Sequence, residues 1–280
     1  MNLGPYSSNT LFKNTYTDDQ GNVSVEFTNN AGQLVLKKVE ISKSHPTPHG
    51  GWICTYHIYD DRGLLRFIIQ PEGVNYLEAN GWSFAGMAGQ LALSGWCYRY
   101  EYDDEGRLTL KQEPGTEPKQ MVYNNRDRMV FTQDGNQNDK ASKEWTAILY
   151  DGLDRPVLTA LYETTATAQQ LQSQIPVSNT STSLSAPGAT VSAFNSPLAA
   201  ADLNNSAVTT VLKYEFYDDY TYPGAKSFRT DFDNGLAYTN GDPISPTQRT
   251  LSLPTGKLVR VMETNNFLET STYYDEKGRA

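Results

Sequence analysis

The acidic residues that could carry out hydrolysis occur in this sequence mainly as adjacent pairs. The pairs are Asp60-Asp61, Asp103-Asp104 and Asp218-Asp219. A glycosidase needs two carboxyl groups that converge on one bond, whereas neighbouring residues of a strand point to opposite faces of a sheet. We therefore expect these aspartates to form turns and not a catalytic pair.

His45 and His49, in HPTPHGG, come nearest to a metal-binding pattern, and His57 follows them. Two prolines make the segment extended, and no cysteine or acidic residue lies at the spacing usual for zinc. Residues 231–235, DFDNG, resemble part of a calcium loop, but the glycine comes one position early and the twelfth position has no glutamate. We expect the histidine segment to be a surface loop and residues 231–235 to be a turn. We expect no metal and no other cofactor.

Three common catalytic motifs are missing from the sequence, which contains no Gly-x-Ser-x-Gly, no Walker loop and no His-Glu-x-x-His. Cys97 lies between Trp96 and Tyr98 at the predicted start of a strand, a position typical of core packing. With Cys54 it makes up the whole cysteine content. One disulfide between them and two free, buried thiols are both compatible with the sequence. We predict no catalytic residue and no enzyme activity.

A row of aromatic residues gives the one candidate binding site. Trp96, Tyr98, Tyr100 and Tyr102 are close in sequence, and on a strand the three tyrosines share one face. A solvent-facing row of this kind can stack on sugar rings. The alternative is that the rings cover the apolar layer between hairpins, with their hydroxyl groups at the rim. A second aromatic group comprises Tyr214, Phe216, Tyr217, Tyr220, Tyr222 and Phe228.

The elements that position these residues are predicted from a recurring turn. In residues 103–106, DDEG, Asp103 opens a turn by accepting hydrogen bonds from backbone amides two residues on. Gly106 closes it, because glycine takes a positive φ without steric cost, and the result is a type I turn with a bulge. Tyr102 precedes this turn and Arg107 follows it. The pattern is typical of a β-hairpin.

The same unit occurs eight times along the chain. The other clear copies open and close with Asp60 and Gly63, Asp275 and Gly278, Asp18 and Gly21, and Asn29 and Gly32; two variants close with aspartate, at Asn124 and Asp127 and at Asp151 and Asp154; residues 218–221 are the most divergent copy. Aspartate tolerates a positive φ better than most residues. Because a single hairpin is marginal in water, we expect the hairpins to pair side by side and cover one another.

These Tyr-Asp-x-x-Gly-Arg units resemble the YD repeats of the Rhs family, and the segments 99–137, 145–162 and 254–279 look like the N-terminal region of a Bacteroidetes-type Rhs surface protein. The resemblance covers most of 54–162 and 208–280. It implies a β spiral or shell, which in some members encloses a C-terminal toxin or enzyme domain. It also implies a secreted or cell-surface bacterial protein, whose partners are the remaining YD repeats of the parent chain. Related repeats are linked to carbohydrate at cell surfaces.

The composition narrows the class further. The formal charge of −9 over 280 residues excludes the basic stripe that nucleic-acid binding needs. The sequence contains no run of 18 apolar residues, the length that a membrane-spanning helix needs. Its first ten residues lack the basic and apolar regions of a signal peptide. Pro71 begins a predicted short helix that ends at Gly81, and the Gly- and Ala-rich stretch after it is predicted to be a loop.

The sequence therefore predicts a mostly β fold, an array of antiparallel hairpins in a curved or rolled sheet with few short helices. We expect a YD-repeat β region over 1–162, a low-complexity Ser/Thr/Ala-rich insertion over 163–207, and a second YD-repeat region over 208–280 that continues beyond the C-terminus. Tyr273 and Tyr274 are predicted to form an outgoing strand whose return partner lies beyond Ala280. Such an exposed edge favours self-association.

Overall fold

The computed structural model describes residues 6–7, 9–41, 49–175, 208–222, 224–228 and 246–280. The chain divides into two compact units, residues 1–120 and 121–280. The division falls inside one strand, β8 (Lys119–Tyr123). Each unit is built of antiparallel strands that pair in the order in which the chain forms them.

The described residues of the first unit form seven complete strands and two helices. They are β1 (Leu11–Thr17), β2 (Val23–Asn29), β3 (Leu34–Glu40), β4 (Trp52–Tyr59), β5 (Leu65–Ile69), α1 (Pro71–Ala79), α2 (Gly86–Trp96), β6 (Cys97–Tyr102) and β7 (Leu108–Gln112). Every strand is antiparallel to the next. The start of β8 pairs with β7, where Gln120 lies opposite Leu110.

Helix α1 begins at Pro71 as predicted, because proline has no amide hydrogen and the first helical turn does not need one. The predicted loop after Gly81 is wrong, because Gly86–Trp96 forms α2. Burial explains the difference. Ala92 is completely buried against the sheet, and the packing of an apolar face stabilises a helix more than the propensity of its glycines opposes it.

The two helices cover one face of the sheet in the first unit. Cys54 of β4 and Cys97 of β6 are buried in one cluster with Val74 and Leu77 of α1. Successive residues of a strand point to opposite faces, so Tyr98 and its neighbours at alternate positions lie on the other face. We call this second surface of the first unit the helix-free face.

In the second unit, the part of the chain that the structure describes forms the end of β8, six further strands and two helices. They are β9 (Met129–Gln133), α3 (Gly135–Asn138), β10 (Glu144–Tyr150), β11 (Pro156–Glu163), α4 (Ala168–Gln174), β12 (Val208–Tyr217), β13 (Pro254–Arg260) and β14 (Phe267–Ser271). Its core includes Phe131, Trp145, Leu158 and Tyr214. The predicted insertion 163–207 is described only to residue 175, and this part contains the last residue of β11 and α4.

Helix α4 is capped at its start and is attached to this core by two side chains. Thr167 accepts a hydrogen bond from the Gln170 amide while the Gln170 side chain accepts from the Thr167 amide, which is a capping box. Leu171 is buried in the core. The side-chain amide of Gln172 accepts from the Tyr123 amide at 3.1 Å and donates to the Tyr123 carbonyl at 2.7 Å, as a neighbouring strand would.

The predicted fold class is confirmed, since the described residues form fourteen antiparallel strands and four short helices. No helix among the residues that the structure describes is both long and apolar enough to cross a membrane.

Candidate functional site

The predicted turns share one hydrogen-bonding geometry, which the turn at Asp60 illustrates. The Asp60 carboxylate oxygen Oδ1 accepts from the amides of Arg62 and Leu64, at 3.0 and 2.8 Å. The Asp60 amide donates to the Leu64 carbonyl and the Gly63 amide to the Asp60 carbonyl. Gly63 has a φ of +79°. The carboxylate therefore satisfies two amides of the reversal, and backbone hydrogen bonds close the rest.

Six further turns repeat this geometry. In each, the opening side chain accepts from the amide four residues on, and the opening amide donates to the carbonyl of that same residue; the openers are Asp18, Asn29, Asp103, Asn124, Asp151 and Asp275. The fourth residue of each has a positive φ, including Asp127 at +60° and Asp154 at +64°. The side chains that open these turns are therefore engaged in backbone hydrogen bonds.

The copy at residues 218–221 is not a hairpin turn, which corrects the sequence prediction. The Asp218 amide donates to the Leu253 carbonyl at 3.2 Å, and its carboxylate accepts from the Ser252 amide at 2.7 Å. Ser252 has a φ of +68° and so stands where glycine stands in other copies. The turn is split, with its opening half at Asp218 and its closing half at residues 250–253.

An arginine follows the positive-φ residue in several copies and returns to the opening aspartate. The Nε of Arg107 donates to Asp103 Oδ2 at 2.7 Å, and the Nε of Arg155 to Asp151 Oδ2 at 2.7 Å. Arg279 does the same to Asp275 at 2.6 Å. These contacts give the Arg of the Tyr-Asp-x-x-Gly-Arg order a defined role, which is to close the turn that precedes it.

In four copies the tyrosine that precedes the turn is hydrogen-bonded to the preceding hairpin. The phenol of Tyr59 donates to the Leu34 carbonyl at 3.1 Å. In the second unit the phenols of Tyr150, Tyr217 and Tyr274 donate to the carbonyls of Met129, Pro156 and Pro254, at 3.0, 3.1 and 2.8 Å. We call this contact the tyrosine staple.

The acceptor of each tyrosine staple occupies an equivalent place in the hairpin before it. Leu34, Met129 and Pro156 each lie five residues after the opener of the preceding turn, and Pro254 follows the closing half of the split turn. The staple therefore connects successive hairpins at the same position each time. Burial is the main cause that raises the pKa of Tyr217, to about 12, so the phenol stays protonated and able to donate.

Side chains of one turn also reach the next turn. The Gln33 amide donates to the Gly63 carbonyl at 2.8 Å, and Arg62 donates to the carbonyls of Asp103 and Asp104 at 3.0 and 3.1 Å. In the second unit, Arg126 is hydrogen-bonded to the Asp154 carboxylate. Neighbouring turns within each unit are thus linked to one another as well as closed internally.

The strongest of these links joins Arg155 to Asp218. The two terminal nitrogens of Arg155 donate to the two carboxylate oxygens at 2.8 and 2.7 Å, the bidentate arrangement that a guanidinium suits. The guanidinium lies 4.3 Å from the centre of the Tyr217 ring. This hydrogen bond is the main cause that lowers the pKa of Asp218 and raises that of Arg155.

The predicted aromatic row is only partly brought together. Tyr98, Tyr100 and Tyr102 lie half-buried on the helix-free face, with Tyr98 opposite Ile68 and Tyr100 opposite Lys111. Trp96 is the last residue of α2 and packs on the Tyr76 ring of α1, with a centroid distance of 4.8 Å. A sugar that stacks on the three tyrosines would therefore not contact Trp96 in the same row.

The histidines and cysteines lie apart from these features. His49 lies 3.4 Å from the Glu78 carboxylate, and burial lowers the pKa of His57. No three residues of the His, Cys, Asp and Glu types are grouped to hold a metal ion in the part of the chain that the structure describes. His45 and residues 231–235 lie outside it.

The structure decides the alternative that the sequence left open for the cysteines. Cys54 and Cys97 are free and buried. Burial raises the pKa of the Cys97 thiol to about 12. A thiol with so high a pKa is a poor nucleophile, in agreement with the predicted core packing.

Two comparisons with known proteins find nothing, since no family model and no curated protein matches the sequence. Solved structures do match. The Tc holotoxin pore of Photorhabdus luminescens with a mutated TccC3 shares 12% identity at a TM-score of 0.38, over 93% of this chain and 12% of that one. The complex of TcdB2, TccC3 and Cdc42 shares 13% at 0.37, over 93% and 13%. This likeness is too low to identify the fold or function of the chain.

Proposed function

We propose that this chain is a structural module, a YD-repeat segment that forms part of the β shell or scaffold of a large secreted or cell-surface bacterial protein of the Rhs type. The observation that carries the proposal is the tyrosine staple, which recurs with the same donor and an equivalent acceptor in four hairpins. A catalytic or ligand site has no need of such repetition. A wall assembled hairpin by hairpin accounts for it.

The mechanism combines closure within a hairpin with attachment between hairpins. The Asp or Asn opener and the positive-φ residue satisfy the backbone of each turn. The phenol then fixes the turn to the preceding return strand, at about 1 kcal/mol for a typical hydrogen bond. Links such as that of Arg62 to the Asp103 carbonyl act in the same direction. The partners expected for such a module are the other YD repeats of the parent chain.

Hydrogen exchange on the 280-residue chain tests this proposal. Tyr217→Phe removes the phenol but keeps the ring beside Arg155, and it should speed the exchange of amides in both β11 and β12 by about fivefold, as expected for the loss of one hydrogen bond. Tyr98→Phe is the matched control, because that hydroxyl makes no hydrogen bond among the described residues, and it should change neither strand. Unchanged exchange in β11 after Tyr217→Phe would contradict the proposal.

A second candidate function is carbohydrate binding, which is favoured by the position of Tyr98, Tyr100 and Tyr102 on the face that α1 and α2 do not cover. A sugar can stack on a tyrosine ring only where the face of the ring is accessible. A glycan array followed by titration of the strongest ligand is the test. Changing both Tyr98 and Tyr100 to Ala should abolish the binding, whereas Trp96→Phe should leave it unaltered. An array without signal would remove this candidate and leave the structural proposal intact.

A further inference from the structure

Strand β1 is an edge of the sheet in the first unit. It pairs with β2 in an unbroken register of seven residues, from Leu11 opposite Asn29 to Thr17 opposite Val23, and with no other strand of the described residues. Each of its residues except Leu11 is exposed. An edge strand presents a row of backbone donors and acceptors that can pair with another chain.

The hydrogen bonds at the first turn show which backbone groups of β1 point outward. The Asp18 amide donates to the Asn22 carbonyl, so residues 18 and 22 form a hydrogen-bonded pair. Because such pairs alternate along an antiparallel ladder, the backbone groups of Tyr16, Asn14 and Phe12 face β2. Those of Lys13 and Thr15, and of the strand's two end residues, face away from the sheet.

The side chains of β1 do not protect this edge. Natural edge strands are commonly blocked by proline, a bulge or several charges, and residues 11–17, LFKNTYT, contain a single lysine and no proline. Phe12 and Tyr16 are 62% and 52% exposed. They lie on the same side of the strand, each two residues from Asn14, so the strand is symmetrical about its centre in the placement of its large rings.

We propose that β1 pairs with the β1 strand of a second copy of this chain, antiparallel and centred on Asn14. This register places Phe12 opposite Tyr16 of the partner subunit, twice across the two-fold axis. Both are non-hydrogen-bonded positions, where facing side chains approach most closely. Lys13 and Thr15 of the partner subunit then form a hydrogen-bonded pair through the outward backbone groups.

The self-complementary pattern is what selects a second copy as the occupant. A two-fold interface uses the same patch on both subunits, and equal spacing of the two rings from Asn14 lets one register form both aromatic pairs. Aromatic cross-strand pairs stabilise such pairing. The net charge of −9 does not oppose contact locally, because β1 carries no acidic residue and Glu26 of β2 is paired with Lys37 at 3.1 Å.

Disulfide trapping tests the register. In Asn14→Cys the new thiol lies on the two-fold axis, opposite its own copy, at a Cα separation of about 4.5 Å that a disulfide spans. Cys54 and Cys97 are buried, so the new thiol is the accessible one. Mild oxidation should give a covalent dimer on a non-reducing gel. The matched control is Tyr16→Cys, which faces Phe12 of the partner subunit and should remain monomeric on the gel.

Sedimentation velocity over a range of concentrations tests the association itself. Thr15→Pro removes an outward amide without removing a donor to β2, as proline at an edge does, and should weaken the dimer roughly tenfold or more. Thr15→Val keeps the amide and should leave association unchanged. A wild-type chain that stays monomeric overturns the proposal, as does a dimer insensitive to Thr15→Pro or equal cross-linking of the two cysteine variants.

Discussion

Arg155 binds the carboxylate of Asp218 through two hydrogen bonds of 2.8 and 2.7 Å, although 63 positions separate the two residues. Arg155 also closes its own turn by donating to Asp151. One guanidinium thus belongs to a complete turn and to the opening half of a split one. It is the side chain on which both depend.

Replacing this arginine by lysine should be costly. Arg155→Lys keeps the positive charge but cannot donate to both oxygens of Asp218 and to Asp151 together, because an ammonium lacks the planar fork. We expect a loss of about 2 kcal/mol in the free energy of unfolding, as for hydrogen bonds to charged groups, measured by urea denaturation. Arg99→Lys, where the guanidinium is hydrogen-bonded to Glu101 two residues away, is the control and should change little.

The same contact predicts a dependence of stability on acid. Arg155 lowers the pKa of Asp218 in the folded chain below about 3.9, the value in an unfolded chain. The stabilisation is therefore fully present above the unfolded value and is lost as the pH falls through the folded one. When urea unfolding is measured at decreasing pH from about pH 6, the midpoint urea concentration should start to decrease once the pH is below about 4.

Asp218→Asn identifies the group responsible for that acid dependence. The difference in unfolding free energy between the wild type and this variant should shrink as the pH falls, because protonation of Asp218 removes the same charge as the substitution. Asp60 and Asp275 also have lowered pKa values. Burial opposes the shift at Asp60, where backbone amides outweigh it, and the Arg279 amide is the largest cause at Asp275. A constant difference at every pH would show that Asp218 has no part in it.

The tyrosine staple can be tested where it is most buried. Tyr274 is 8% exposed and donates to the Pro254 carbonyl at 2.8 Å. Tyr274→Phe leaves that acceptor without its donor and should lower the free energy of unfolding by about 1 kcal/mol. Thermal or urea unfolding measures the loss. If Tyr98→Phe proves equally destabilising, the effect belongs to loss of a hydroxyl in general and not to the staple.

Gly256 of β13 allows the Tyr222 ring to lie directly on the strand. A Cβ at this position would stand 2.2 Å from Tyr222 Cζ, and the Tyr222 ring stacks on Phe216 with centroids 4.5 Å apart. Gly256→Ala should therefore cost roughly 1–3 kcal/mol, as overpacking does. In a Tyr222→Ala background the same glycine change should cost almost nothing, because the clash is gone. Equal costs in both backgrounds would contradict this account.

The turns could be predicted from the sequence because their chemistry is local. The Asp60 carboxylate and the amides that donate to it lie within four residues of one another. Residue type and spacing are therefore enough to predict the turn. The staple was not predictable in this way. Tyr59 finds its acceptor 25 residues earlier, on a strand whose register only the pairing determines. The tyrosine that recurs before most of the turns was the available signal.

Two errors have the same physical origin, contacts between distant segments. Helix α2 was missed because its glycines favour a loop locally, whereas Ala92 is buried by tertiary packing. The split turn was missed because Ser252, which supplies the positive φ, lies 34 positions from Asp218. In the aromatic row, Tyr98 and Tyr100 follow strand alternation as expected, but Trp96 belongs to a helix and packs on Tyr76.

The split turn shows that a turn of this kind can hold an insertion. The hydrogen bond from the opening amide of Asp218 to the closing carbonyl of Leu253 forms although residues 219–249 intervene, and β12 and β13 are paired. We therefore expect the hairpin turns of this scaffold to accept inserted sequence. An epitope or a small reporter domain grafted between Asp104 and Glu105 should be displayed outward while β6 and β7 keep their alignment.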